Sequence, residues 1–215
     1  GRGLRDHRAC GKRISGNVYR KKAPAGLVFP AGAVLYCAKY GAEETEGTAL
    51  ERILIIGGNG CGKTTFARAL AEKLRLPLVH LDTLYWRDNW QAASNEEFDR
   101  LLQAELEKPR WILDGNMNRT IPHRLWYCDT VIYMDFPRWV CMWGAFWREL
   151  TNLGRSRPDM GGCCPERINL PFLETVWNFN RTYRARYYAM LQQAPAVRVI
   201  VLKNRRAVRK FLDAL

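Results

Sequence analysis

Between Gly57 and Thr64 the sequence reads GGNGCGKT, a full match to the pattern G-x-x-x-x-G-K-[ST]. Glycines at such positions let backbone N–H groups turn inward around an anion without side-chain clash. A helix opening at the loop adds the positive end of its dipole. Lys63 can reach β- and γ-phosphates, and Thr64 offers a hydroxyl to Mg²⁺. The expected cofactors are therefore ATP and Mg²⁺. The expected nucleotide-binding set is Gly57, Gly58, Asn59, Gly60, Cys61, Gly62, Lys63, Thr64 and Thr65. The dinucleotide pattern G-x-G-x-x-G does not fit, because Lys63 stands where its last glycine belongs. Cys61 has the setting of a thiol with lowered pKa, but a small filler side chain is the simpler expectation.

Three acids each close an apolar run: Asp82 after LVHL, Asp114 after WIL and Asp135 after VIYM. Any one of them alone would be unremarkable as a helix cap. Together they put carboxylates along the edge that Lys63 occupies, where one is expected to hold the water shell of Mg²⁺ beside Thr64. Asp114 and Asp135 both remain open for that role. Further on, Arg148, Arg155, Arg157 and Arg167 surround the Gly/Pro-rich stretch GRSRPDMGGCCPER. A mobile loop carrying arginines can close over phosphates, neutralise developing charge and exclude water. A lid over about residues 148–168 is therefore expected, against the plainer reading of a solvated basic loop. Cys163 and Cys164 are adjacent, a poor spacing for a tetrahedral zinc site. Trp139, Trp143 and Trp147 follow i, i+4, i+8 and read as one core-facing stripe rather than a base-stacking platform.

The elements that must position these groups follow from periodicity. Ile53–Ile56 is a continuous apolar run of the kind found in strands buried on both faces. Similar short runs occur at 78–81, 111–113, 131–134 and 197–202. Helical spacing links Phe66, Ala67, Leu70, Ala71 and Leu74. The capping box SNEE at Ser94 opens a second helix, with Phe98, Leu101, Leu102 and Leu106 on one face. Helices are also expected from Pro137 to about Leu150, from Pro171 to Gln193, and after Asn204. Strands alternating with helices predict an α/β domain over residues 51–215 with a parallel sheet covered on both faces. In such sheets ligands sit at the carboxyl ends of the strands.

The first fifty residues differ in kind. They lack a sustained period and carry nine Lys/Arg against four Asp/Glu, part of a net charge of +13. The run AGLVFPAGAVLYCA behind Arg20, Lys21 and Lys22 is a weak imitation of an export signal, interrupted by Pro30. A disordered extension is the expectation for residues 1–50. No run of about 18 apolar residues exists, so no transmembrane helix is expected. Seven cysteines without a CxxC pair suit reduced thiols in the cytoplasm. The basic balance favours phosphate-rich partners.

From Arg52 to Leu215 the chain resembles the nucleoside-monophosphate-kinase-like P-loop kinases. Within them it is similar to the adenylate-kinase-like group called DNA topology modulation proteins. The resemblance rests on GGNGCGKTT, HLDTLYW (80–86), WILDGNMNRT (111–120), DTVIYMDFPRW (129–139), GRSRPDM (154–160) and CPERINLPFLETVWNF (164–179). It implies a five-stranded parallel core with a mobile lid. LDGN at Leu113–Asn116 is similar to an adenylate-kinase segment near which an arginine meets the acceptor phosphate. Arg119 holds the comparable place, although NMNR stands where FPR would follow the glycine. Asp82 is similarly placed to an aspartate that binds the acceptor hydroxyl in shikimate-kinase-like enzymes. The expectation is an ATP-dependent kinase acting on a nucleotide or small molecule, with Lys63, Asp82, Arg119, Arg148, Arg155 and Arg157 as the catalytic set. The alternative is an ATP-binding protein that acts on or with DNA. No nucleic-acid-binding motif favours it, and no membrane partner is expected.

Overall fold

A computed structural model describes residues 34–36, 50–194 and 197–215. Strand β1 (Val34–Tyr36) comes first, then β2 (Arg52–Gly57), which leads through the glycine-rich loop into helix α1 (Lys63–Leu74). Strand β3 (Leu78–His80) passes directly into the short helix α2 (Leu81–Tyr85) and a small hairpin of β4 (Trp86–Arg87) and β5 (Gln91–Ala92). Helix α3 (Asn95–Leu106) precedes strand β6 (Trp111–Asp114), and the short helix α4 (Ile121–Leu125) precedes β7 (Thr130–Met134). Two long helices follow, α5 (Arg138–Thr151) and α6 (Leu170–Gln192), then β8 (Arg198–Leu202) and α7 (Arg205–Asp213).

The main sheet has the order β1-β8-β7-β2-β6-β3. Five of its strands, β3, β6, β2, β7 and β8, are parallel, as the apolar runs predict. The sixth, β1, lies antiparallel on β8. It falls within the segment expected to be disordered; the rest of that expectation, at 1–33 and 37–49, lies outside the described residues. Strand β2 is central and fully buried from Ile53 to Ile56, which a chain buried on both faces requires. Alternate side chains divide the core into two layers. Leu54 and Ile56 join Leu113, Val131 and Phe98 on one face, while Ile53 and Ile55 join Phe66, Leu70, Ile132 and Phe211 on the other.

The caps form as the sequence suggests. The Ser94 hydroxyl accepts the Glu97 N–H at 3.1 Å. Glu97 itself turns to Arg87 at 2.7 Å rather than closing the reciprocal half of the box. The Asn204 side chain accepts the Ala207 N–H at 2.8 Å.

The tryptophan stripe is a correction. Trp139, Trp143 and Trp147 are exposed, not core. Helix α5 instead buries its opposite side, Cys141, Ala145 and Glu149. The physical reason is steric. That side lies against the phosphate loop, where a Cβ built on Gly60 would stand 2.1 Å from the Cys141 carbonyl oxygen and one on Gly144 would stand 2.1 Å from the Gly60 carbonyl oxygen. Indole rings have no room there.

Candidate functional site

The loop between β2 and α1 is held from three sides. Inside it, Lys63 Nζ donates to the carbonyls of Gly57 and Gly58, both at 2.9 Å. Behind it, α5 makes the close approach just described. At its start, Asn116 grips Gly57 twice: its Oδ1 accepts the Gly57 N–H at 3.0 Å and its Nδ2 donates to the Gly57 carbonyl at 2.8 Å. Asn116 is braced in turn by Arg124, whose fully buried guanidinium donates to the backbone carbonyls of Gly115 at 3.0 Å, of Asn116, and of Met117 at 3.3 Å. A buried charge is costly without such partners. Cys61 is buried in the loop, and burial pushes its thiol pKa up; the environment is that of a filler, not of an activated thiolate.

Asp114, at the end of β6, faces the start of α1. Its Oδ2 accepts the Thr64 hydroxyl at 2.9 Å and lies 3.0 Å from His80 Nδ1. Its Oδ1 is buried and has no hydrogen-bond partner. A buried carboxylate oxygen without a partner is expensive, so the arrangement is suited to a cation or its water shell. Among the described residues no three His, Cys, Asp or Glu gather around a point. The Asp114 carboxylate and the Thr64 hydroxyl are the donors that could hold Mg²⁺, an ion that takes one or two protein ligands and completes its octahedron with water and phosphate oxygens.

Asp135 is placed differently. It is buried, and its Oδ2 accepts from Arg184 Nη2 at 2.8 Å, Arg184 Nε at 3.0 Å and the Tyr188 hydroxyl at 2.8 Å. These bonds anchor α6 to the sheet.

A cavity of about 1070 Å³ opens in front of the loop. Asn59, Gly60, Gly62, Lys63, Thr64, Thr65, Asp82, Asp114, Arg119, Arg148 and Arg157 all line it, so most of the residues picked from sequence converge on one space. Arg155 is exposed and, like Asp135, is not part of that lining. Asp82 is half-buried, and burial raises its pKa, partly offset by the charge of Arg157. Arg119 stands at the rim in a two-bond pair with Asp99, at 2.7 and 2.9 Å.

The basic segment after α5 folds over the cavity and is tied down by buried acids that sequence reading did not single out. Glu166 lies 2.6 Å from Arg157 Nε and 3.6 Å from Arg148 Nε. Asp159 accepts from Arg157 at 2.6 Å and lies 3.6 Å from Arg68. Burial, then the neighbouring Arg157, lowers the pKa of Arg148, while Glu166 raises it. The signal in sequence was only that Asp159 and Glu166 alternate with arginines.

A complete phosphate loop joining a central parallel strand to its helix defines a P-loop NTPase fold, and with it a nucleotide site. A family profile described as "ATPase family associated with various cellular activities (AAA)" matches residues 53–114. No curated protein matches. Among solved structures, the chain is similar to shikimate kinase from Acinetobacter baumannii in complex with shikimate, at 16% identity over 76% of this chain and 89% of that one, with a TM-score of 0.49. It is similar to shikimate kinase from Bacteroides thetaiotaomicron at 18% identity over 77% and 96%, TM-score 0.47. It is also similar to a gluconokinase from Sinorhizobium meliloti 1021 at 14% identity over 77% and 91%, TM-score 0.44.

Proposed function

We propose that this chain is an ATP-dependent phosphotransferase that moves the γ-phosphoryl group of ATP to a small-molecule or nucleotide acceptor. The observation that carries the reading is the single cavity that joins the phosphate loop to Asp82 and Arg119. It has room for a nucleotide and an acceptor side by side. A protein that only bound ATP would need no second polar end.

In this reading the loop amides and Lys63 hold the phosphates, with Lys63 exchanging two carbonyls for β- and γ-oxygens. Thr64 and Asp114 would hold Mg²⁺, which when bound neutralises charge on the transferring group. The lone buried oxygen of Asp114 supports that choice over Asp135, whose carboxylate already takes three donated hydrogen bonds. Arg148 and Arg157 line the same space and are the arginines to stabilise the transition state. To do so they must leave Glu166 and Asp159, which fits a lid that changes partners on closing. Asp82 would accept the proton of a hydroxyl acceptor; its raised pKa brings it toward a useful range for a base. Arg119 would orient the acceptor from the rim.

The test is single-turnover ADP release from ATP·Mg²⁺ with a panel of nucleoside monophosphates and hydroxylated metabolites. Acceptor-dependent ADP that falls by roughly 10²-fold in Arg157→Ala, with ATP affinity nearly unchanged, is the expected result. ATP binding without turnover across the panel, joined to salt-dependent DNA binding, would replace the kinase by an ATP-binding protein that works with DNA.

A further inference from the structure

Eight large hydrophobic side chains are exposed among the described residues, and seven of them fall between positions 139 and 170: Trp139, Trp143, Trp147, Leu150, Leu153, Ile168 and Leu170. The tryptophans are 66%, 62% and 53% exposed. They share one face of α5, and Trp143 and Trp147 lie 6.1 Å apart in near-parallel planes. Between Trp139 and Trp143 the face is hollowed into an apolar cavity of about 370 Å³, floored by Met142 and Phe146. The chain then brings the other members alongside. Leu153 bridges to Glu166, and the Asn169 N–H donates to Glu149 Oε2 at 3.3 Å, so Ile168 and Leu170 return beside the end of α5. The nucleotide cavity lies on the other side of the helix and uses none of these seven residues.

The charges around the face are one-sided. From Pro137 to Leu173 the acids Glu149, Asp159 and Glu166 are all buried, whereas Arg138, Arg155 and Arg167 are exposed. The adjoining helix α6 exposes Glu174 against Arg181, Arg184 and Arg186. An isologous contact between two copies would oppose arginine to arginine. Stacked nucleic-acid bases would use the tryptophans but would leave the four Leu and Ile side chains in water. A surface that offers both hydrocarbon and negative charge satisfies the whole patch: tryptophans at the headgroup level, aliphatic side chains beneath it, and arginines reaching to anionic headgroups.

We propose that the α5 face and the Ile168–Leu170 return form a peripheral docking surface for anionic lipid membranes. The surface is independent of the nucleotide reading and departs from the expectation, drawn from sequence, of no membrane partner; it needs no spanning segment, and no helix among the described residues is long and apolar enough to cross a bilayer.

The test is sedimentation of the full chain with phosphatidylcholine vesicles, with and without phosphatidylglycerol, read together with tryptophan emission. The expected result is binding that requires the anionic lipid, a blue shift of emission, and a loss of roughly tenfold or more in partitioning for the double variant Trp143→Ser/Trp147→Ser. Arg138→Glu/Arg181→Glu, at two exposed arginines outside the nucleotide cavity, should lose binding as well and should be the more salt-sensitive change. Thermal unfolding and ATP binding of both variants should match wild type, which separates a lost surface from a lost fold. Any of four results overturns the proposal: no vesicle binding; binding that the tryptophan variant keeps in full; a dimer that the same variant dissolves, which assigns the face to a second copy; or quenching by a single-stranded oligonucleotide without vesicle binding, which assigns it to nucleic acid.

Discussion

Asp114 and Asp135 occupy matching positions in the chain, one at the end of β6 and one just past β7, the two strands that flank the phosphate-loop strand β2. Their surroundings are opposite. Asp114 pairs in register with Ile55, two residues short of the loop, so its carboxylate meets Thr64 from below and keeps one buried oxygen unpartnered. Asp135 follows Met134, which pairs with Gly57 itself, so it stands further along the strand direction and meets Arg184 and Tyr188 of α6. One carboxylate is left under-satisfied at the cavity, and the other is consumed in holding a helix. A three-residue difference in register separates a candidate ligand from a structural anchor.

The comparison is broken most directly at Asp114. Asp114→Asn should lower the rate of phosphoryl transfer by roughly 10²- to 10³-fold, as the loss of one aligned electrostatic group does elsewhere, and should weaken the dependence on Mg²⁺. Its melting temperature should stay close to wild type, because the isosteric amide keeps an oxygen for the two contacts Asp114 makes, with the Thr64 hydroxyl and with His80. Steady-state rates across a Mg²⁺ titration check both halves. If Asp135→Ala instead abolishes Mg²⁺ dependence while Asp114→Asn keeps it, the two roles are exchanged.

Asp135→Ala should act on stability. It strips Arg184 and Tyr188 of their shared acceptor, at a cost of about 1–3 kcal/mol. Denaturant unfolding should show this while ATP affinity, by calorimetry, remains near wild type.

Asp82 sharpens the contrast with the smallest effect. Burial holds its pKa above the ordinary 3.8, so the folded state binds its proton more tightly than the unfolded chain does. The resulting stability is complete below the ordinary carboxylate value and is lost as pH rises through the raised folded value. Asp82→Asn should therefore melt slightly above wild type at neutral pH, and the gap should close as the buffer is taken down toward about pH 4. Transfer to a hydroxyl acceptor should be lost in the same variant. A melting difference that widens on acidification would contradict the assigned direction.

The parallel sheet was legible because each of its strands is a short apolar run, and a strand buried on both faces allows little else. The phosphate loop was legible because its residue types are dictated by local backbone geometry. Register was not, since it depends on pairings between residues far apart in sequence; hence Asp114 and Asp135 could not be told apart. Asn116 and Arg124 escaped notice for the same reason: Asn116 acts on Gly57 from 59 positions away, and Arg124 acts on carbonyls that have no sequence signature. Helices α3 and α5 show a further limit. Both carry large apolar residues at helical spacing. On α3 Phe98, Leu102 and Leu106 point inward, whereas on α5 Trp139, Trp143 and Trp147 point outward. Periodicity reveals that a face exists, and only the neighbours decide whether it meets the core.

The near-contact of Gly60 with Gly144 sets a rule for transplantation. The loop and α5 are separate stretches of chain, yet a methyl group added at either glycine would collide with backbone of the other stretch at 2.1 Å. They behave as one interlocking joint made of two parts. A chimera that imported the GGNGCGKT segment without its matching helix would receive half a socket, and a homologue with a larger residue at position 144 would need a differently seated loop. Exchange of parts between related proteins must therefore carry residues 57–64 and 141–145 together.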